Sequence, residues 1–163
     1  MAYVFDLERD FDQEPYVDAG GARVIDFALG YELDRSLVIV MSVMLVPDES
    51  GAFELCFGIR TRSATDPTDV SPPDYDSVTA RQFVPREATT EVLGAILSAV
   101  VVLVKSARPH DIIMETFHAN LPPWAMKKYE MISIALEGLS YQLRDQFRDE
   151  IDGKDYWAFN RKD

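Results

Sequence analysis

The run Leu37-Val38-Ile39-Val40-Met41-Ser42-Val43-Met44-Leu45-Val46 decides the fold. It is apolar at every position but Ser42, so a strand built from it has two water-averse faces and belongs at the centre of a sheet, covered on both sides. Its neighbours read differently. Upstream, Arg23, Ile25, Phe27, Leu29, Tyr31 and Leu33 alternate with Asp26, Ala28, Gly30 and Glu32. Downstream, Phe53, Leu55, Phe57 and Ile59 alternate with Glu54, Cys56 and Arg60. Both patterns have the two-residue period of a half-buried strand. Pro47-Asp48-Glu49-Ser50-Gly51 supplies a hairpin turn between the second and third of these segments. The three form an antiparallel meander.

A short first strand is expected from Ala2 to Leu7. Beyond the meander the period changes to that of a helix. From about Glu87 to Ala107, one side is made of Val92, Ile96, Ala99, Val100, Leu103 and Val104, and Arg108-Pro109 ends it. Asp111 to His118 reads as a strand. Asn120 caps a second helix, with Pro122 and Pro123 in its first turn, where a missing N–H costs nothing. Ala125, Tyr129, Ile132 and Leu136 give that helix its inner face, and Gly138 ends it. Tyr141 to Arg148 and Asp155 to Asn160 close the chain as a hairpin across Asp152-Gly153. The order β-βββ-α-β-α-ββ describes one α+β domain over residues 1–163, with a mostly antiparallel sheet and two long helices.

The 163 residues are 47% hydrophobic, enough for a core without metals or cross-links. The single cysteine, Cys56, allows no internal disulfide and fits a reducing, cytoplasmic setting. The longest apolar stretch, Val92 to Val104, falls short of the roughly 20 residues a bilayer crossing needs and is read as a buried helix.

Net charge is −12, from 28 acids and 16 bases. Phosphate backbones and anionic membranes repel such a chain, because nucleic-acid affinity rests on cationic side chains. A basic protein surface is the partner that charge favours. The charge is also unevenly placed. Residues 1–18 carry Asp6, Glu8, Asp10, Asp12, Glu14 and Asp18 against Arg9, and residues 48–78 carry seven acids against Arg60 and Arg62. Ten of the twelve net charges therefore fall in these two segments. Residues 63–78, SATDPTDVSPPDYDSV, show neither helical nor strand period and read as an irregular loop that folding does not require. Its Asp66, Asp69, Asp74, Tyr75 and Asp76 are the candidate partner-binding residues.

Catalytic and metal chemistry find little support. His110 and His118 on one strand would lie roughly 26 Å apart, too far for one ion, so no metal is expected. Cys56 has neither histidine near it in sequence to stabilise a thiolate. No nucleophile elbow, Walker loop or dinucleotide fingerprint is present.

The segment from about Asp111 to Lys162 resembles the end of the GNAT acetyltransferase fold. It has an Asn opening a helix (Asn120), an Ala and a Tyr four residues apart on it (Ala125, Tyr129), and a closing strand, Tyr156-Trp157-Ala158-Phe159-Asn160-Arg161-Lys162. The meander before the first long helix is similar to that family's order too. The resemblance implies acetyl-coenzyme A as cofactor and Tyr129 as the general acid protonating the leaving thiolate. The family's glycine-containing pyrophosphate turn has no counterpart: residues 81–88 read RQFVPREA. The reading favoured by charge is a non-enzymatic, cofactor-free binding protein. It would cover a basic, nucleic-acid-binding surface of another protein, by analogy with inhibitors encoded by phages and mobile elements. The acetyltransferase is the alternative, and homo-oligomerisation is left open.

Overall fold

The computed structural model describes residues 3–75, 77–117 and 123–163. Its elements are β1 (Tyr3–Phe5), β2 (Tyr16–Val17), β3 (Arg23–Glu32), β4 (Leu37–Pro47), β5 (Phe53–Ser63), α1 (Ser77–Phe83), a 3-10 turn (Arg86–Ala88), α2 (Thr89–Ala107), β6 (Asp111–Phe117), α3 (Pro123–Gly138), β7 (Tyr141–Asp149) and β8 (Lys154–Arg161). The fold is α+β. One sheet runs in the order β1-β3-β4-β5-β6-β8-β7, with β2 paired to β3.

The apolar run forms β4 at the centre of the meander, paired along its whole length with β5 and, across a bulge, with β3. Both of its faces are buried. Ile39, Met41, Val43 and Leu45 enter the main core beneath α2, while Met44 joins Ala22 and Val24 in a smaller cluster on the opposite face. The buried side of α2 is Val92, Ile96, Ala99, Val100, Leu103 and Val104, the six residues its period selects. Among the described residues α2 and the turn before it form the one helical stretch long and apolar enough to cross a membrane, and that apolar side packs on β3 and β4. Tyr129, Ile132 and Leu136 of α3 are buried against the C-terminal strands. His118, Asn120 and Pro122 lie outside the described residues.

The alternation expected for residues 23–33 holds only in part. A bulge between Ala28 and Gly30 inserts Leu29 as an extra residue, so beyond it the faces exchange. Glu32 is buried, whereas Tyr31 and Leu33, expected inside, are exposed. Gly30 allows the bend: a Cβ there would lie 2.1 Å from the Val4 carbonyl oxygen of β1. β1 ends at Phe5, two residues before the expected Leu7, and β2 appears in a stretch with no strand period.

A single junction departs from the antiparallel pattern. β5 and β6 run parallel and pair at only two positions, Phe53 with Ile112 and Glu54 with Ile113. Beyond them the strands part, and the sheet opens as a wedge toward Ser63 and Phe117. α2 packs on β3 and β4 on one side of this seam, α3 on β7 on the other, and the two helices pack on each other.

Candidate functional site

The segment read as an irregular loop is built into the wedge. Its backbone pairs with the edge of β5 that β6 has left: Ile59 and Asp74 exchange two 2.8 Å hydrogen bonds, the Ser71 amide donates to the Thr61 carbonyl, and the Ser63 amide donates to the Asp69 carbonyl. The Ser71 hydroxyl accepts from the Thr61 amide at 2.9 Å. Residues from Ser77 then form α1, where no helix is evident in the sequence. The physical reason is an unpaired strand edge: it leaves N–H and C=O groups that must find partners, and the following segment supplies them.

Gly58 makes the close approach fit. A Cβ added there would stand 2.8 Å from the Pro73 Cβ and 3.4 Å from the Tyr75 ring. Gly58→Ala is therefore expected to push residues 70–75 off the β5 edge and cost about 1–3 kcal/mol. Limited proteolysis of the variant should cut within this segment before the rest of the chain. A cleavage pattern matching wild type would show that the packing is not tight.

Gly58 points away from the helices, so Pro73 and Tyr75 lie on the sheet's helix-free face. That face carries a polar row missed by the sequence reading. The Asp26 carboxylate accepts from the Ser42 hydroxyl and from the Tyr16 hydroxyl, both at 2.5 Å. Burial first, then this hydrogen bond, raises the Tyr16 hydroxyl pKa well above its ordinary range. Residues 12–18, the N-terminal strap, and the wedge segment flank the β3-β4-β5 meander on opposite edges, and Tyr16 and Tyr75 both feel the Asp18 carboxylate and the Arg60 guanidinium across it. Arg60 lies between them, one nitrogen 3.2 Å from the Met44 sulfur and its buried Nε without a hydrogen-bond partner among the described residues. A shallow cleft of about 230 Å³ opens here, with Glu8, Asp12, Glu14, Tyr16, Asp26 and Arg62 on its walls. Ser42, the only polar residue in the apolar run, was the available signal for this row.

Asp66, Asp69, Asp74 and Tyr75 are all exposed, and the structure brings them together on one ordered segment. Hydrogen bonds from the Thr68 hydroxyl and amide hold Asp66 below the usual carboxylate range, and Thr79 donates to Asp74 at 2.9 Å. Asp76 lies outside the described residues. Tyr129 lies elsewhere, 6% exposed and stacked on Trp157 with ring centroids 4.7 Å apart. It is a core aromatic of α3. Burial pushes the Cys56 thiol far up, which disfavours the nucleophilic thiolate. Among the described residues no group of three metal-ligating side chains converges.

The pyrophosphate of acetyl-coenzyme A, the cofactor of the alternative reading, needs close, unencumbered backbone amides at a helix start. The start of α2 is preceded by a 3-10 turn, its N-cap is Ala88, and Glu87 and Glu91 bring carboxylates to that end. Glu91 is further paired with Arg9 at 2.7 Å. The β5 edge, which an extended amide-bearing arm could otherwise pair with, is taken by residues 69–74 of the chain itself.

No family model matches this chain, and no curated protein matches it. Among solved structures it is similar to a point variant of the spermidine N-acetyltransferase SpeG from Vibrio cholerae, at 13% identity and a TM-score of 0.39. The likeness covers 88% of this chain and 66% of that one, just under two thirds of its length.

Proposed function

We propose that this chain is a protein-binding module that takes a basic partner on its helix-free face. One observation carries the reading. Tyr16, Val17, Val70 and Tyr75 are 45%, 64%, 39% and 58% exposed, and they stand among Asp12, Glu14, Asp18, Asp66, Asp69 and Asp74 on the two segments that flank the β3-β4-β5 meander. Exposed tyrosines within a charged rim are the composition of a protein interface, where aromatic anchors supply contact area and the rim supplies selectivity. The sign of the rim selects a cationic partner, and a groove that otherwise holds nucleic acid has the matching charge.

The test uses the protein captured by this chain from its native host. The Asp66, Asp69, Asp74, Asp76→Asn variant is expected to associate about tenfold more slowly at low salt, with a flatter salt dependence. Asn keeps an acceptor oxygen for the Thr68 donors at Asp66 and the Thr79 donor at Asp74, so folding stability should stay within about 1 kcal/mol of wild type. Tyr75→Ala should instead raise the dissociation rate. An unchanged association rate in the four-Asn variant would make the acidity a solubility feature and overturn the reading. A thermal shift with acetyl-coenzyme A would also count against it, since a ligand at a hundred times its dissociation constant adds about 2.7 kcal/mol.

A further inference from the structure

The molecule's second concavity has the opposite charge. At the closed end of the seam, the C-terminus of α2, the turn after α3 and the end of β8 enclose an open bowl of about 610 Å³. Lys105, Arg108, Arg161 and Lys162 line it, four of the sixteen bases in a chain of net charge −12.

Helix capping accounts for part of this. Two helix C-termini end here, each equivalent to roughly half a negative charge. The Arg161 guanidinium donates at 2.8 Å to the Arg108 carbonyl, using one of its five donors. Asp163 also lines the bowl and brings one carboxylate. Four cations against about two negative charges leave a positive surplus.

Backbone geometry marks the same corner of the molecule. Among the described residues only Ser36, Arg108 and Ser140 have positive φ without being glycine, and two of the three line this bowl. Arg108, at φ 47°, ends α2 in the left-handed conformation that a glycine adopts without steric cost. Holding a side chain there is unfavourable, and such positions cluster where the side chain has a use. The floor beneath the cations is apolar, made of Val104, Leu139 and the Tyr141 ring.

We infer that this bowl binds a small organic phosphate. The cationic rim would hold the phosphoryl oxygens through the Arg forks and Lys ammonium groups, and the floor would take the apolar part of the ligand. The bowl lies at the far end of α2 from the wedge, so binding here is separate from the acidic face.

Phenyl phosphate and inorganic phosphate serve as probes, titrated calorimetrically at about 0.15 M ionic strength to screen nonspecific attraction. Wild type is expected to bind phenyl phosphate saturably at one site, and inorganic phosphate about tenfold more weakly for want of the floor contact. Arg108→Gly is expected to lose about tenfold in phenyl phosphate affinity. Its melting temperature should hold or rise, because glycine relieves the left-handed strain. Lys162→Gln, on the exposed rim, should weaken binding in the same direction and does not depend on helix geometry. Absence of saturable phenyl phosphate binding, equal affinity for the two probes, or unchanged affinity in both variants would each overturn the inference. Tighter binding of a single-stranded oligonucleotide, lost in the same variants, would replace the small ligand with nucleic acid.

Discussion

Trp157→Ala is expected to lower stability by about 3–5 kcal/mol. Trp157 is 4% exposed on β8, on the strand face that α3 covers, and it stacks on Tyr129 at 4.7 Å with the rings within 4° of parallel. Truncation removes the largest side chain in that half of the core. It also removes a stacked pair worth about 0.5–1.5 kcal/mol beyond its buried area. The cavity has rigid walls, a paired strand beneath and a helix above, so it closes only partly. Trp157→Phe retains a ring against Tyr129 and should cost roughly half as much. Denaturant unfolding followed by circular dichroism checks both variants. An unchanged midpoint for Trp157→Ala would mean that α3 does not pack on the C-terminal strands as described.

Ile39→Ala should cost about 2–5 kcal/mol. Ile39 is fully buried in the strand with partners on both sides, opposite Gly30 of β3 and Thr61 of β5. It stands where the Leu29 bulge has shifted the register, and backbone shifts there would propagate to β1 through Gly30. The midpoint should fall with little change in the slope against denaturant, since the surface exposed on unfolding is nearly the same. A melting temperature equal to wild type would remove β4 from the centre of the sheet.

What could be read in the sequence was what repeats. The six buried residues of α2 follow from a 3.6-residue period, and β4 follows from the absence of any polar alternation. The order of the longer strands and helices follows from these periods and from turn residues such as Gly51 and Gly153, both at positive φ, whereas β2 and α1 carry no such period. The bulge at Leu29 could not be read, because one inserted residue leaves composition unchanged while exchanging the faces of Tyr31 and Glu32. Residues 69–74 were likewise opaque: their order comes from an edge of β5 that is free only because β6 diverges after two pairs. Gly58 was a visible clue to a close approach, though nothing local said what approaches. The acids of the candidate interface were legible as charge. Their gathering with Tyr16 and Tyr75 on one face was not, since it depends on how the strap and the wedge segment cross the sheet.

The two-pair seam between β5 and β6 has a mechanical meaning. In a fully laddered sheet, load applied across the strands is shared by a row of hydrogen bonds, and the sheet deforms as one plate. Here the plate is scored. Each half carries its own helix, α2 on one and α3 on the other, so a force that bends the sheet concentrates at Phe53–Glu54 and Ile112–Ile113. Resistance to that bending comes from the helix layer, through the packing of α2 on α3, while the strands contribute little beyond a short joint. The molecule is built as two stiff leaves with a narrow spine, bound together by the helices laid across one side.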